Sequence, residues 1–201
     1  MFIFSKKTEG FTVAEVIVSV AIISVLMTVV LFNYSIFNDN LALTSAGQEI
    51  ASSIKQSQQY GLSVKEATVG LGQFGYAYGV YFDRVVDTTN YYIFVDKDGD
   101  RQYDVINGCG SADTECVEKI PIRNKVRIST ICDGVACPPI ATANMMDITF
   151  LRPNPDARIY FTNSAGAIVA GPTNTGKVTL ISQKNRTITI TIDVTGQVLV
   201  Q

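Results

Sequence analysis

The sequence predicts an α+β fold: a long N-terminal helix, transmembrane in its first half, packed by its second half on a mostly antiparallel β domain. Three observations lead there. Residues 11–32 are mostly apolar and carry no charge except Glu15. Over residues 33–61 the chain turns polar but keeps apolar side chains at three- and four-residue steps. Beyond residue 62, short aromatic and β-branched runs alternate with turn residues, the pattern of strands.

The apolar block comes first. FTVAEVIVSVAIISVLMTVVLF, residues 11–32, would be about 33 Å long as a helix, which matches the hydrocarbon core of a bilayer. Lys6 and Lys7 flank it on the N-terminal side, so the segment before it should face the cytoplasm and the rest lie outside. A secretory signal cut near Ser45-Ala46-Gly47 would show a shorter apolar run. A plain membrane anchor would need neither Gly10 nor Glu15. A carboxylate at this depth costs ~1–3 kcal/mol unless something pairs with it.

In the second half of the helix, Leu43, Ala46, Ile50 and Ile54 recur on one face, and Gly61 stands where a C-cap is expected. No proline occurs before Pro121, so one helix is expected from about residue 11 to about residue 60. Gly47 is the one residue within its second half expected to soften it.

Strands are expected at 76–82, 91–95, 125–131, 177–182 and 187–194, among seven to nine in all. In 187–194, Ile188, Ile190, Ile192 and Val194 alternate with polar residues, and Thr195-Gly196 then turns the chain into 197–200. The prolines all fall at expected loops or strand ends.

Composition narrows the function. The chain has 201 residues, a net charge of −2 and no histidine. Without histidine, most nucleophile–base schemes and the commonest transition-metal ligand are absent, so the chain is read as a non-enzyme. A charge this small gives no global attraction to nucleic acid or to anionic membrane.

Lys6-Lys7-Thr8-Glu9-Gly10, followed by Phe11-Thr12-Val13-Ala14-Glu15 and the apolar run, resembles the prepilin signal of type IV pilins and type II secretion pseudopilins. The resemblance implies a leader over 1–10, cut by a prepilin peptidase between Gly10 and Phe11, with N-methylation of Phe11. It implies that Glu15 meets the free amine of a neighbouring subunit during assembly, and that charge pair supplies the missing partner in low dielectric. It divides the chain into the leader (1–10), the transmembrane part of the helix (11–32), its amphipathic second half (33–61) and a globular β domain (62–201). Many major pilins carry a helix-bending proline where this chain has Phe32. Its absence favours a minor pilin or a pseudopilin.

The strand around Tyr78-Gly79-Val80-Tyr81-Phe82, the segment YYIFVDKDGD and the terminal ITIDVTGQVLV resemble the GspH/FimT-type minor pseudopilins. The implied role is a structural subunit of a type IV pilus or type II secretion-type filament. It would sit in the inner membrane as a single pass with its N-terminus cytoplasmic, then enter a periplasmic or extracellular filament. Its partners would be other pilin subunits, the peptidase, an inner-membrane assembly platform and the membrane. The alternative is a membrane-anchored binding module at a filament tip, an adhesin or a receptor for DNA uptake. Lys177, Lys184 and Arg186, on what read as adjoining turns, are the residues such a nucleic-acid reading would use, and it is the weaker one.

Three further motifs bear on chemistry. Asp96, Asp98, Asp100 and Asp104 are spaced like the first half of a calcium loop, but the glycine is misplaced and Asn107 stands where a glutamate is needed. A solvated acidic hairpin tip is the competing account, and no cofactor is required. Cys109, Cys116, Cys132 and Cys137 suit disulfides in an exported domain. Local pairs 109–116 and 132–137 are expected from the turn-rich segments between them, with crossed pairings, free thiols and metal left open. Finally, GPTNTGKV (171–178) matches a phosphate-loop pattern except that Val178 replaces the hydroxyl residue, and it lies between strands.

Overall fold

The structure is a computed structural model, and it describes residues 10–63, 65–67, 72, 74–104, 109, 114–134 and 143–201. Among the described residues a single helix, α1 (Val13–Leu62), precedes ten strands: β1 (Ala77–Asp83), β2 (Asn90–Asp96), β3 (Cys116–Pro121), β4 (Arg127–Cys132), β5 (Met145–Leu151), β6 (Asn154–Thr162), β7 (Ile168–Thr173), β8 (Thr175–Ile181), β9 (Thr187–Asp193) and β10 (Val198–Val200). The predicted α+β class is therefore the observed one. The strand number exceeds the expected seven to nine. The chain divides into two compact units, Met1–Asn38 and Asp39–Gln201.

Within the first unit, α1 exposes large apolar side chains on all sides, from Val13 through Phe37. Three hydroxyls in this stretch are satisfied inside the helix. Ser19, Ser24 and Thr28 each donate to the carbonyl four residues back, at 2.8 Å. Lipid offers no alternative partner, so such internal bonds suit a spanning segment. The helix is long and apolar enough to cross a membrane.

In the second unit, strands pair antiparallel in two sheets, ordered β3-β2-β1-β5-β6-β7 and β10-β9-β8-β4. Leu43, Ala46, Ile50 and Ile54, the helical face read from the sequence, join both sheets in one core. The inner face of the larger sheet supplies Val80, Phe82, Tyr91, Ile93, Met146, Ile148, Phe150, Ile159 and Phe161, and the smaller sheet supplies Ile128, Ile131, Val178, Leu180, Ile190 and Ile192. One polar contact ties helix to sheet within this core: Ser53 Oγ and Tyr91 OH lie 2.8 Å apart.

The structure corrects three local expectations. Gly61 is not a C-cap. It lies inside α1, where an added Cβ would stand 2.3 Å from the Phe150 carbonyl oxygen, so glycine is there to let helix and β5 approach. Gly47 has a similar role, because a Cβ there would meet Val200 at 2.9 Å. Val126, Ile128 and Thr130 alternate in the sequence with Lys125, Arg127 and Ser129, but in β4 that alternation breaks. A register shift between Ile128 and Thr130 turns both Ile128 and Ile131 to the core. Segment 171–178, read as lying between strands, is as expected the passage from β7 in one sheet to β8 in the other, with Asn174 between them, and no helix follows it.

Candidate functional site

The N-terminal motif has a defined local geometry. Gly10, Phe11 and Thr12 are non-helical, and α1 starts at Val13. Thr12 caps the helix: its Oγ1 accepts the Glu15 N–H at 3.3 Å, and its carbonyl accepts the Val16 N–H at 3.2 Å. Thr12-Val13-Ala14-Glu15 has the spacing of a capping box, a signal the sequence contains and that reading it for membrane features alone overlooks. Glu15 also sits in the first turn, where the helix dipole favours a negative charge. Phe11 is 82% exposed, and an added Cβ at Gly10 would meet nothing within 4 Å. Lys6 and Lys7 lie outside the described residues.

A second constellation lies on the outer face of the six-stranded sheet. The connection from β2 to β3 is a long excursion and not the short hairpin expected from YYIFVDKDGD. Its Tyr103 packs on Tyr81, Tyr92 and Phe94, with ring centroids 4.9, 5.3 and 5.5 Å away. This explains why β1 is buried along its whole length although only one face meets the main core. Carboxylates hold the excursion down. Asp147, fully buried on β5, accepts the Tyr103 N–H at 3.1 Å. Asp96 accepts the N–H groups of Gly99 and Arg101, at 2.7 and 3.2 Å, and Glu115 accepts those of Lys97 and Asp104, at 2.8 and 3.0 Å.

Asp96, Asp98 and Glu115 each bring one carboxylate oxygen within 4.8 Å of the others. Asp96 and Glu115 are only 2% and 6% exposed. Of the four aspartates with calcium-loop spacing, the structure thus gathers Asp96 and Asp98 and adds Glu115. Asp100 instead accepts both the backbone and side-chain N–H groups of Gln102. Asp104 is exposed and enters through its backbone N–H. Glu115 was missed because its partners lie far back along the chain, across residues that carry no regular pattern. Burial pushes the Glu115 carboxyl up to about 7, assisted by Asp96 and Asp98 and opposed by its two N–H donors. Burial likewise raises Asp96, Asp104 and, strongly, Asp147.

Cys109 and Cys116 form a disulfide with a Cα–Cα distance of 4.7 Å, as the local pairing predicts. Cys132 is also disulfide-bonded. Cys137, its expected partner, lies outside the described residues. The basic trio does not form one patch. Lys177 pairs with Cys132 across β8 and β4, and its Nζ donates to the Gly134 carbonyl at 3.3 Å. Lys184 and Arg186 belong to the turn at the opposite end of β8.

Comparison with families of known proteins gives one match: residues 5–31 fit the model of the prokaryotic N-terminal methylation motif. No curated protein and no solved structure matches the chain. Residues 5–31 contain Gly10, Phe11 and Glu15, and the apolar helix of the same segment suits membrane anchoring. This chain carries a type IV pilin-like prepilin signal at its N-terminus.

Proposed function

We propose that the chain is a minor pilin or pseudopilin, of the GspH/FimT type, with a structural rather than catalytic role. A prepilin peptidase cuts it between Gly10 and Phe11 on the cytoplasmic side, and Phe11 is N-methylated. An inner-membrane platform then draws the apolar half of α1 out of the bilayer into a filament of pilin subunits. The observation that carries this reading is the methylation motif over residues 5–31, with a non-helical Gly10-Phe11-Thr12 immediately before a capped helix. A non-helical segment suits a protease cleft, since a helix would hold the scissile peptide in its own hydrogen bonds.

Two variants separate processing from assembly. Replacing Gly10 with a bulky residue should leave the leader attached. Glu15→Val should still be cut, because the scissile bond is untouched, but its entry into filaments should fall. The neighbouring subunit's Phe11 amine loses its partner in low dielectric. Normal filament entry of the Glu15→Val chain would refute the assembly role of Glu15. The proposed role needs no cofactor. Calcium is the one ion proposed for the domain, held by Asp96, Asp98 and Glu115 on the outer face of the sheet.

A further inference from the structure

Strand register, not sequence proximity, gathers four of the domain's exposed cations. In β4, Arg127 pairs with Ile181, the last residue of β8. The β3–β4 turn before Arg127 and the β8–β9 turn after Ile181 therefore meet at one end of the smaller sheet. Asn124 and Lys125 shape the first turn at φ 60° and 59°, and Asn185 shapes the second at φ 59°. Lys125, Arg127, Lys184 and Arg186 are all exposed there. Acidic groups also lie close to this end of the sheet. Glu49 lies 4.0 Å from Arg123, which is thereby set apart, and Asp39 accepts the Ser182 hydroxyl at 2.7 Å.

The patch also has an address along the chain. Arg186 Nη1 donates to Asn40 Oδ1 at 2.9 Å, and Ser182 bonds Asp39. Asp39 and Asn40 stand seven and eight residues beyond Phe32, where the apolar run of α1 ends. Covalent connection alone therefore keeps Asn40, and the turn bonded to it, within about 28 Å of the plane where that run ends, the most that eight residues can span.

We propose that Lys125, Arg127, Lys184 and Arg186 form a basic collar that binds anionic phospholipid headgroups at the membrane surface. This rests on the membrane-anchored reading of α1. Each Lys or Arg held near an anionic bilayer surface contributes about 1 kcal/mol of attraction, so four on one sheet end suffice to engage headgroups there. Nucleic acid fits less well. Neither 123–127 nor 183–187 contains an aromatic side chain on which a base could stack. The collar would hold the domain against the bilayer before extraction.

The test uses the full chain in nanodiscs of phosphatidylcholine alone or mixed with phosphatidylglycerol, read by hydrogen–deuterium exchange. Both turns should exchange more slowly in the anionic discs, by about fivefold per engaged cation, and added salt should remove the difference. The double variant Arg127→Gln, Lys184→Gln should lose it while its circular dichroism stays that of the parent. Equal exchange in the two discs would overturn the collar. So would retention of a DNA duplex by chains in neutral discs that the double variant abolishes without any headgroup effect, which would assign the patch to nucleic acid. A chain that fails to enter discs at all would overturn the anchored reading itself, and the collar with it.

Discussion

Replacing Glu115 with glutamine removes a charge from the excursion between β2 and β3 while keeping side-chain length. The folded carboxyl sits at about 7 against an ordinary 4.5, so the native state holds its proton more tightly than the unfolded chain. The sign follows from linkage. The stabilisation is complete below pH 4.5 and is lost as the pH rises through 7. The full shift corresponds to about 3 kcal/mol, and relaxation around an ionised carboxylate brings the expected loss to about 2 kcal/mol. For a unit of this size that is a fall in Tm of roughly 4–8 °C between pH 5 and 8. No histidine titrates in this window. Melting the Asp39–Gln201 unit in chelator at a series of pH values should show the fall, and Glu115→Gln should make it shallower. Lys97 and Asp104 bond different oxygens of Glu115, and glutamine offers one oxygen, so one N–H loses its acceptor; that cost is the same at every pH and leaves the slope as the readout. Calcium supplies the second arm. If Asp96, Asp98 and Glu115 hold it, a hundredfold excess over Kd should add about 2.7 kcal/mol at neutral pH in the parent. Identical midpoints with calcium and with chelator would leave these carboxylates to their partners within the protein. Parallel parent and variant curves from pH 5 to 8 would refute the burial argument.

Three further perturbations probe the fold. Gly61→Ala would ordinarily favour a helix by about 1 kcal/mol, but here it should destabilise by about 1–3 kcal/mol, because its Cβ would meet the Phe150 carbonyl; chemical denaturation reads the sign. Tyr91→Phe should cost about 1 kcal/mol by leaving the Ser53 hydroxyl without its core partner, and adding Ser53→Ala should cost little more, as a double-mutant cycle would show. Opening the Cys109–Cys116 bridge, whose cysteines are seven residues apart in sequence, should cost roughly 2–3 kcal/mol by the chain-entropy account, seen as a lower Tm for a Cys109→Ser, Cys116→Ser chain.

Elements with a regular period were legible in the sequence. The helix face at Leu43, Ala46, Ile50 and Ile54 and the alternating strand at 187–194 both follow from side-chain spacing, and both join the core as read. What the sequence hid depends on contacts between distant segments. Gly61 looked like a helix terminator because its close approach to β5 is a tertiary fact. The excursion after β2 looked like a turn because Asp and Gly favour turns, whereas Tyr103 and the aromatic outer face decide where it lies. Glu115 completes a carboxylate group with residues well before it in the chain, and no local spacing marks it. The basic trio failed for the same reason. Strand β8 sends Lys177 to one end of the sheet and the register of β4 brings Arg127 to the other.

The prepilin reading stands or falls on where the mature chain begins. The most direct measurement is the intact mass of the protein from cells that express its cognate prepilin peptidase. The account predicts a chain starting at Phe11, heavier than the bare sequence by one methyl group. A chain from those cells that still begins at Met1 would contradict it and leave a plain membrane anchor in its place.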